Sequence, residues 1–140
     1  MNAFWWALVA AGIWGVVPLL EKMGLSKADP IAGLFYRCLG VMIGLIMLVC
    51  FMIKPSQIKS VDLRSALYLI AGGLLASFVA QIAFYNALKL GEVSRVVPLS
   101  GSYPFLTFIL GVVVLGESIT PVKIMGVILI IAGMWVLKIG

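Results

Sequence analysis

The residues able to do chemistry are few, and their spacing is informative. Arg37 is the one charge well inside an apolar run, about seven residues past Asp29-Pro30 and so roughly 10 Å along a helix at 1.5 Å per residue. An ionisable group at that depth in hydrocarbon marks a binding site or pathway by default. The competing role is a bridge to headgroups or to helix-end carbonyls. Glu21 closes the preceding apolar run beside Lys22, either as a carboxylate at the mouth of a pathway or as a merely solvated group. Ser77, Gln81 and Tyr85 recur at i, i+4 and i+8 with Asn86 next to the last, a polar line suited to interhelical hydrogen bonding or to lining a cavity. Ser100, Tyr103 and Thr107 form a second polar face, in a run broken by Pro98 and Pro104. Trp14 and Pro18 share a face with Glu21, and Tyr36 adjoins Arg37. Hydrogen-bonding groups, one intramembrane cation and aromatic surfaces with polar tips are the means of reversible solute recognition.

They are not the means of catalysis. The sequence has no histidine, and its carboxylates (Glu21, Asp29, Asp62, Glu92 and Glu117) all fall at the ends of apolar runs. No grouping of acid, base and nucleophile is expected, nor a metal site or a cofactor. Cys38 and Cys50 lie in one apolar run, about 18 Å apart along a helix, too far for a disulfide within the chain. The net charge of +5 is scattered among helix ends, which fits cations snorkelling to lipid headgroups and argues against nucleic acid as a partner.

The elements that must hold these groups are membrane helices. Of the 140 residues, 64% are hydrophobic and 11% charged, against about a quarter charged in a soluble domain, and the mean hydropathy is +1.22. A span needs roughly 20 apolar residues. Five fit, at Phe4 to Leu20, Ile31 to Ile53, Ser65 to Ala87, Val96 to Leu115 and Val122 to Leu137. The expected fold is therefore an all-α integral membrane protein, one domain of five transmembrane helices.

Asp29-Pro30 and Thr120-Pro121 read as helix starts, Asp62 as a further N-cap and Ser94 as another. Pro18, Pro98 and Pro104 are expected to kink their helices. Ala3, Ala7, Ala11 and Gly15 line one face of the first helix, and Gly33, Arg37, Gly40 and Gly44 one face of the second, so neighbours are expected to approach closely there.

With the N-terminus inside, Lys54, Lys59, Arg64 and Lys123 fall inside and Lys22, Lys27, Lys89, Arg95 and Lys138 outside. The positive-inside rule then selects no orientation. An odd number of spans inserted both ways yields an antiparallel homodimer, in which an inverted copy supplies the second half of a transporter.

Several of these residues also carry a family resemblance. Tyr85-Asn-Ala-Leu-Lys89, Val97-Pro98, Pro104 with the run to Leu115-Gly-Glu117, then Gly126 and Gly133, resemble the EamA-type repeat of the drug/metabolite transporter superfamily, and Trp14-Gly15, Asp29-Pro30 and Arg37 match its front half. The resemblance covers nearly the whole chain. It implies five helices per repeat and transport of small metabolites, often export of amino acids, nucleobases or similar compounds. Larger members have two inverted repeats around a cavity; this chain has one, like small bacterial and archaeal members, which places it in the cytoplasmic membrane of a prokaryote and makes oligomerisation a requirement. The chain more distantly resembles the small multidrug resistance proteins, whose mid-membrane carboxylate in the first helix has no counterpart here.

The leading expectation is a secondary transporter, an exporter working by alternating access. Its pathway is lined by Trp14, Glu21, Tyr36, Arg37, Ser77, Gln81, Tyr85, Asn86, Ser100, Tyr103 and Thr107, and its partners are a small metabolite, membrane lipid and a second copy of the chain. The alternative is a non-transporting subunit of a hetero-oligomeric transporter or flippase.

Overall fold

The computed structural model describes residues 2–139, and the side chain of Lys138 lies outside the described residues. Every regular element among these residues is helical. Four stretches, Ala3–Leu25, Pro30–Phe51, Leu63–Leu90 and Val93–Leu115, are long and apolar enough to cross a membrane, and Pro121–Leu137 is a shorter apolar helix. The outward surface is what hydrocarbon requires. Trp14, Phe51, Val113 and Leu115 are all more than half exposed, an arrangement that water would penalise. The chain is an all-α, multi-pass integral membrane protein.

The chain forms two compact units, Met1–Leu90 and Gly91–Gly140. In the first, α1 (Ala3–Leu25) follows Asn2, whose side chain accepts from the Trp5 amide. Asp29 caps α2 (Pro30–Phe51) through the Ile31 amide, with Pro30 in the first turn. The short α3 (Pro55–Lys59) occupies the polar connection. Asp62 accepts from the Ser65 amide at 3.0 Å to cap α4 (Leu63–Leu74), and its bonds to Ser65 hold this exposed carboxyl below the usual carboxylate range. A π-turn at Leu75–Val79 joins α4 to α5 (Ala80–Leu90). Such a turn carries one extra residue per loop of helix and is frequent at functional sites.

The core of this unit is small: among the described residues it consists of Leu25, Leu34, Tyr85 and Leu88. They meet where the end of α1, the start of α2 and α5 come together. Gly33 permits it, because a Cβ there would stand 2.8 Å from Leu25 Cδ2 and 3.3 Å from Tyr85 Cε2. At positions 15, 40 and 44 an added Cβ would meet nothing within 4 Å among the described residues. Two lysines fasten the same end. Lys89 Nζ donates to the carbonyls of Leu25 (2.6 Å) and Ala28 (2.9 Å), and Lys22 Nζ donates to that of Leu88. Each helix thus lends a cation to the carbonyl-rich C-terminus of the other, where a positive charge is favoured.

In the second unit, α6 (Val93–Ser100) starts after Glu92, which makes no side-chain cap, so Ser94 lies inside the helix and does not cap it. Pro98 lies within α6. A turn at Gly101-Ser102 then ends it, and α7 (Tyr103–Leu115) begins with Pro104 in its first turn. The expected kinked helix is therefore a broken one, and Pro104 opens its second half. Gly116, at φ +68°, takes the left-handed conformation that ends α7. Thr120 Oγ1 accepts from the Lys123 amide at the start of α8 (Pro121–Ile139).

Filling the Gly33 contact is expected to destabilise the first unit. Gly33→Leu should cost about 1–3 kcal/mol, the usual range for overpacking, in reversible unfolding from detergent or lipid. Gly40→Leu, which enters open space, serves as the control and should cost far less; equal losses would show that the Gly33 contact does not hold the unit together.

Candidate functional site

The site forms around one oxygen. Glu21 Oε1, near the end of α1, accepts from Tyr85 Oη at 3.0 Å and from Gln81 Nε2 at 3.1 Å, both on α5. Arg37 Nε on α2 stands 3.3 Å from the same oxygen. Three helices therefore converge on a single carboxylate. The i, i+4 spacing of Gln81 and Tyr85 brings both donors to one face of α5. Gly33, one turn before Arg37, lets α2 come near enough for the guanidinium to join them.

Arg37 has a second anchor, because its Nη1 donates to the Ser77 carbonyl at 3.3 Å. That carbonyl belongs to the π-turn, where the hydrogen-bond pattern departs from that of an α-helix. Ser77 thus reaches the site through its main chain and not through the hydroxyl expected from the sequence.

A cleft of about 490 Å³ opens on this cluster, lined by Glu21, Tyr36, Arg37 and Tyr85 together with apolar side chains that include Val17 and Leu20. Its two charges differ in accessibility. The Glu21 side chain is 11% exposed and that of Arg37 is 28%. A carboxylate and a guanidinium in partial burial stabilise one another only when their remaining groups are also bonded. Tyr85 and Gln81 do this for Glu21.

The other expected residues lie elsewhere. Trp14 is exposed on α1, outside the lining of the cleft. Asn86 turns back on its own helix, Nδ2 donating to the Ile82 carbonyl at 2.8 Å. Ser100 does the same, its hydroxyl meeting the carbonyls of Val96 (2.8 Å) and Val97 (3.1 Å). Tyr103 and Thr107 line a different cleft, in the second unit. Pro18 is buried within α1. Among the described residues no group of three or more histidine, cysteine, aspartate or glutamate side chains could hold a metal ion.

The reciprocal lysine bonds were not anticipated. Their only signal is a lysine in the last turn of each of two helices, which also fits solvation by headgroups. The ion pair Glu117–Lys123, with 3.8 Å between Oε2 and Nζ, was likewise unforeseen, because each residue alone reads as a helix-end charge.

The EamA-like transporter family model matches residues 1–139, and the chain belongs to that family. It is 29% identical to a protein of Sinorhizobium sp named an uncharacterized transporter, with 99% of each chain aligned. It is 30% identical to an uncharacterized protein of Methanocaldococcus jannaschii, over 95% of this chain and 93% of that one. An uncharacterized transporter of Clostridium kluyveri is 25% identical over 91% of this chain, which there spans 40% of the longer protein. No solved structure matches the chain.

Proposed function

We propose that the protein is a secondary transporter that exports small anionic or zwitterionic metabolites by alternating access, working as an antiparallel homodimer in the cytoplasmic membrane of a prokaryote. Membership of a transporter family supports transport itself. The observation that carries the choice of solute is the unequal satisfaction of Glu21 and Arg37. If the carboxylate or phosphate of a solute draws Arg37 away, Glu21 keeps the Tyr85 and Gln81 donors and is not left unsolvated. A cation competing for Glu21 meets the less exposed partner, already bonded by three donors. It would also leave Arg37 with only the Ser77 carbonyl among its two anchors. Unpaired buried charge is expensive, so exchange at Arg37 is the easier route.

The cleft falls within the roughly 300–1,000 Å³ typical of ligand sites, and Tyr36 with the neighbouring apolar side chains suits the body of a small metabolite. Trp14, Ser77 and Asn86 extend the pathway within the first unit in this reading. Pro18, Pro98 and the break before Pro104 give its helices points of bending, as discontinuous helices do in transporters. In this reading a second copy of the chain supplies the opposite wall of the pathway, as an inverted repeat does in larger transporters. The near balance of basic residues between the two sides supports opposite orientations.

Proteoliposomes loaded with labelled carboxylates and amino acids test the reading. Arg37→Ala should slow transport of the responding solute by about tenfold or more, the worth of a charge-assisted hydrogen bond, in a variant that still folds and elutes as the wild type. Full transport by a folded Arg37→Ala protein would exclude the direct role. Reporters fused to the C-terminus should be found on both sides of the membrane, and a single orientation would eliminate the antiparallel pair.

A further inference from the structure

The second unit contains a cleft of about 650 Å³ that the solute site does not use. It runs beside α7 from Tyr103, Thr107 and Phe108 past Gly111, and one end is closed by Glu117 and Lys123. The 13 residues of α7 are about 20 Å long at 1.5 Å per residue, comparable with one leaflet of a hydrocarbon core about 30 Å thick. The cleft is thus long and mainly apolar, with ionised groups at one end only. A compact polar solute would leave most of that wall bare, whereas a lipid chain would cover it.

The charged end has an unusual electrostatic character. Glu117 follows the C-terminus of α7, where the helix carbonyls already present negative charge, and Lys123 sits in the first turn of α8, where amides present positive charge. Each ion therefore occupies the helix end that disfavours it. The pair itself is loose: Oε2 and Nζ are 3.8 Å apart, and Nζ is also 3.0 Å from the Ser118 carbonyl. About half of each side chain is exposed. Gly116 turns the chain so that the Glu117 amide donates to the Gly111 carbonyl at 3.1 Å. The carboxyl then lies over Gly111, where an added Cβ would stand 3.3 Å from it.

We infer that this cleft is a phospholipid site selective for an ethanolamine headgroup, with the ammonium on Glu117, the phosphate on Lys123 and an acyl chain along α7. A headgroup carrying a cation and an anion side by side complements both ends of the loose pair. An anionic headgroup such as glycerol phosphate offers Lys123 a partner but faces Glu117 with a second negative charge. The site shares no lining residue with the Glu21–Arg37 cleft, and the assignment does not depend on what the protein transports.

Native mass spectrometry of the full chain tests the assignment. The protein is released from micelles supplied with equal amounts of phosphatidylethanolamine and phosphatidylglycerol of the same acyl composition. Wild type should retain the ethanolamine lipid about fivefold over the glycerol lipid, the scale of one partly exposed ion pair. Glu117→Gln should bring the ratio near one, Lys123→Gln should lower retention of both lipids, and Gly111→Leu should displace the headgroup by crowding Glu117. Should Gly111→Leu fail to fold, the near-isosteric Glu117→Gln decides alone. A wild-type ratio near one, or a ratio unchanged in Glu117→Gln, would mark ordinary surrounding lipid and overturn the site.

Discussion

A charge placed among membrane helices must be neutralised and bonded, and in this protein that constraint falls on Glu21. Its Oε1 takes donors from α2 and α5 at 3.0–3.3 Å, so the carboxylate is the point at which three helices agree. The first unit has little else to set its geometry. Its buried apolar side chains are few, and hydrocarbon gives no hydrophobic drive for one helix to leave lipid and join another. Polar pairing therefore carries an unusual share of the specificity.

The neighbouring features support that arrangement. Gly33 removes the side chain that would hold α2 away from Leu25 and Tyr85. Lys22 and Lys89 tie the C-terminal ends of α1 and α5 to one another, which fixes the height at which Tyr85 and Gln81 meet Glu21. The π-turn presents the Ser77 carbonyl to Arg37. Arg37 consequently rests on two oxygens while remaining the more exposed member of the pair, poised between an internal partner and one arriving through the cleft.

Much of this was legible in the sequence, though unevenly. The helices follow from apolar runs punctuated by Asp29-Pro30, Asp62 and Thr120-Pro121, because capping chemistry is local. Arg37, Gln81, Tyr85 and Glu21 could each be singled out, since a polar group within an apolar run needs a reason. Their mutual bonding could not be read, because Gln81 and Tyr85 lie 60 and 64 positions from Glu21 and the contacts depend on which helices are neighbours. Asn86 shows the limit of periodicity: one position from Tyr85, it faces away and returns to the Ile82 carbonyl. Ser77 shows another, since the π-turn exchanges its expected hydroxyl for a carbonyl. The two prolines announced an irregular fourth span, but the break fell between them at Gly101-Ser102, where two small residues offer least resistance to leaving the helix.

The account links a stability determinant to a recognition element. The contacts that hold Glu21 in place also make Arg37 exchangeable, and a helix unit organised in this way differs from one in which a surface ion pair merely decorates a packed core. The double-mutant cycle of Glu21→Gln and Arg37→Gln measures this most directly, by reversible unfolding of the protein in lipid bicelles. The account predicts that the double variant is more stable than the summed single losses imply, with a coupling energy of about 1 kcal/mol or more. A coupling indistinguishable from zero would contradict it.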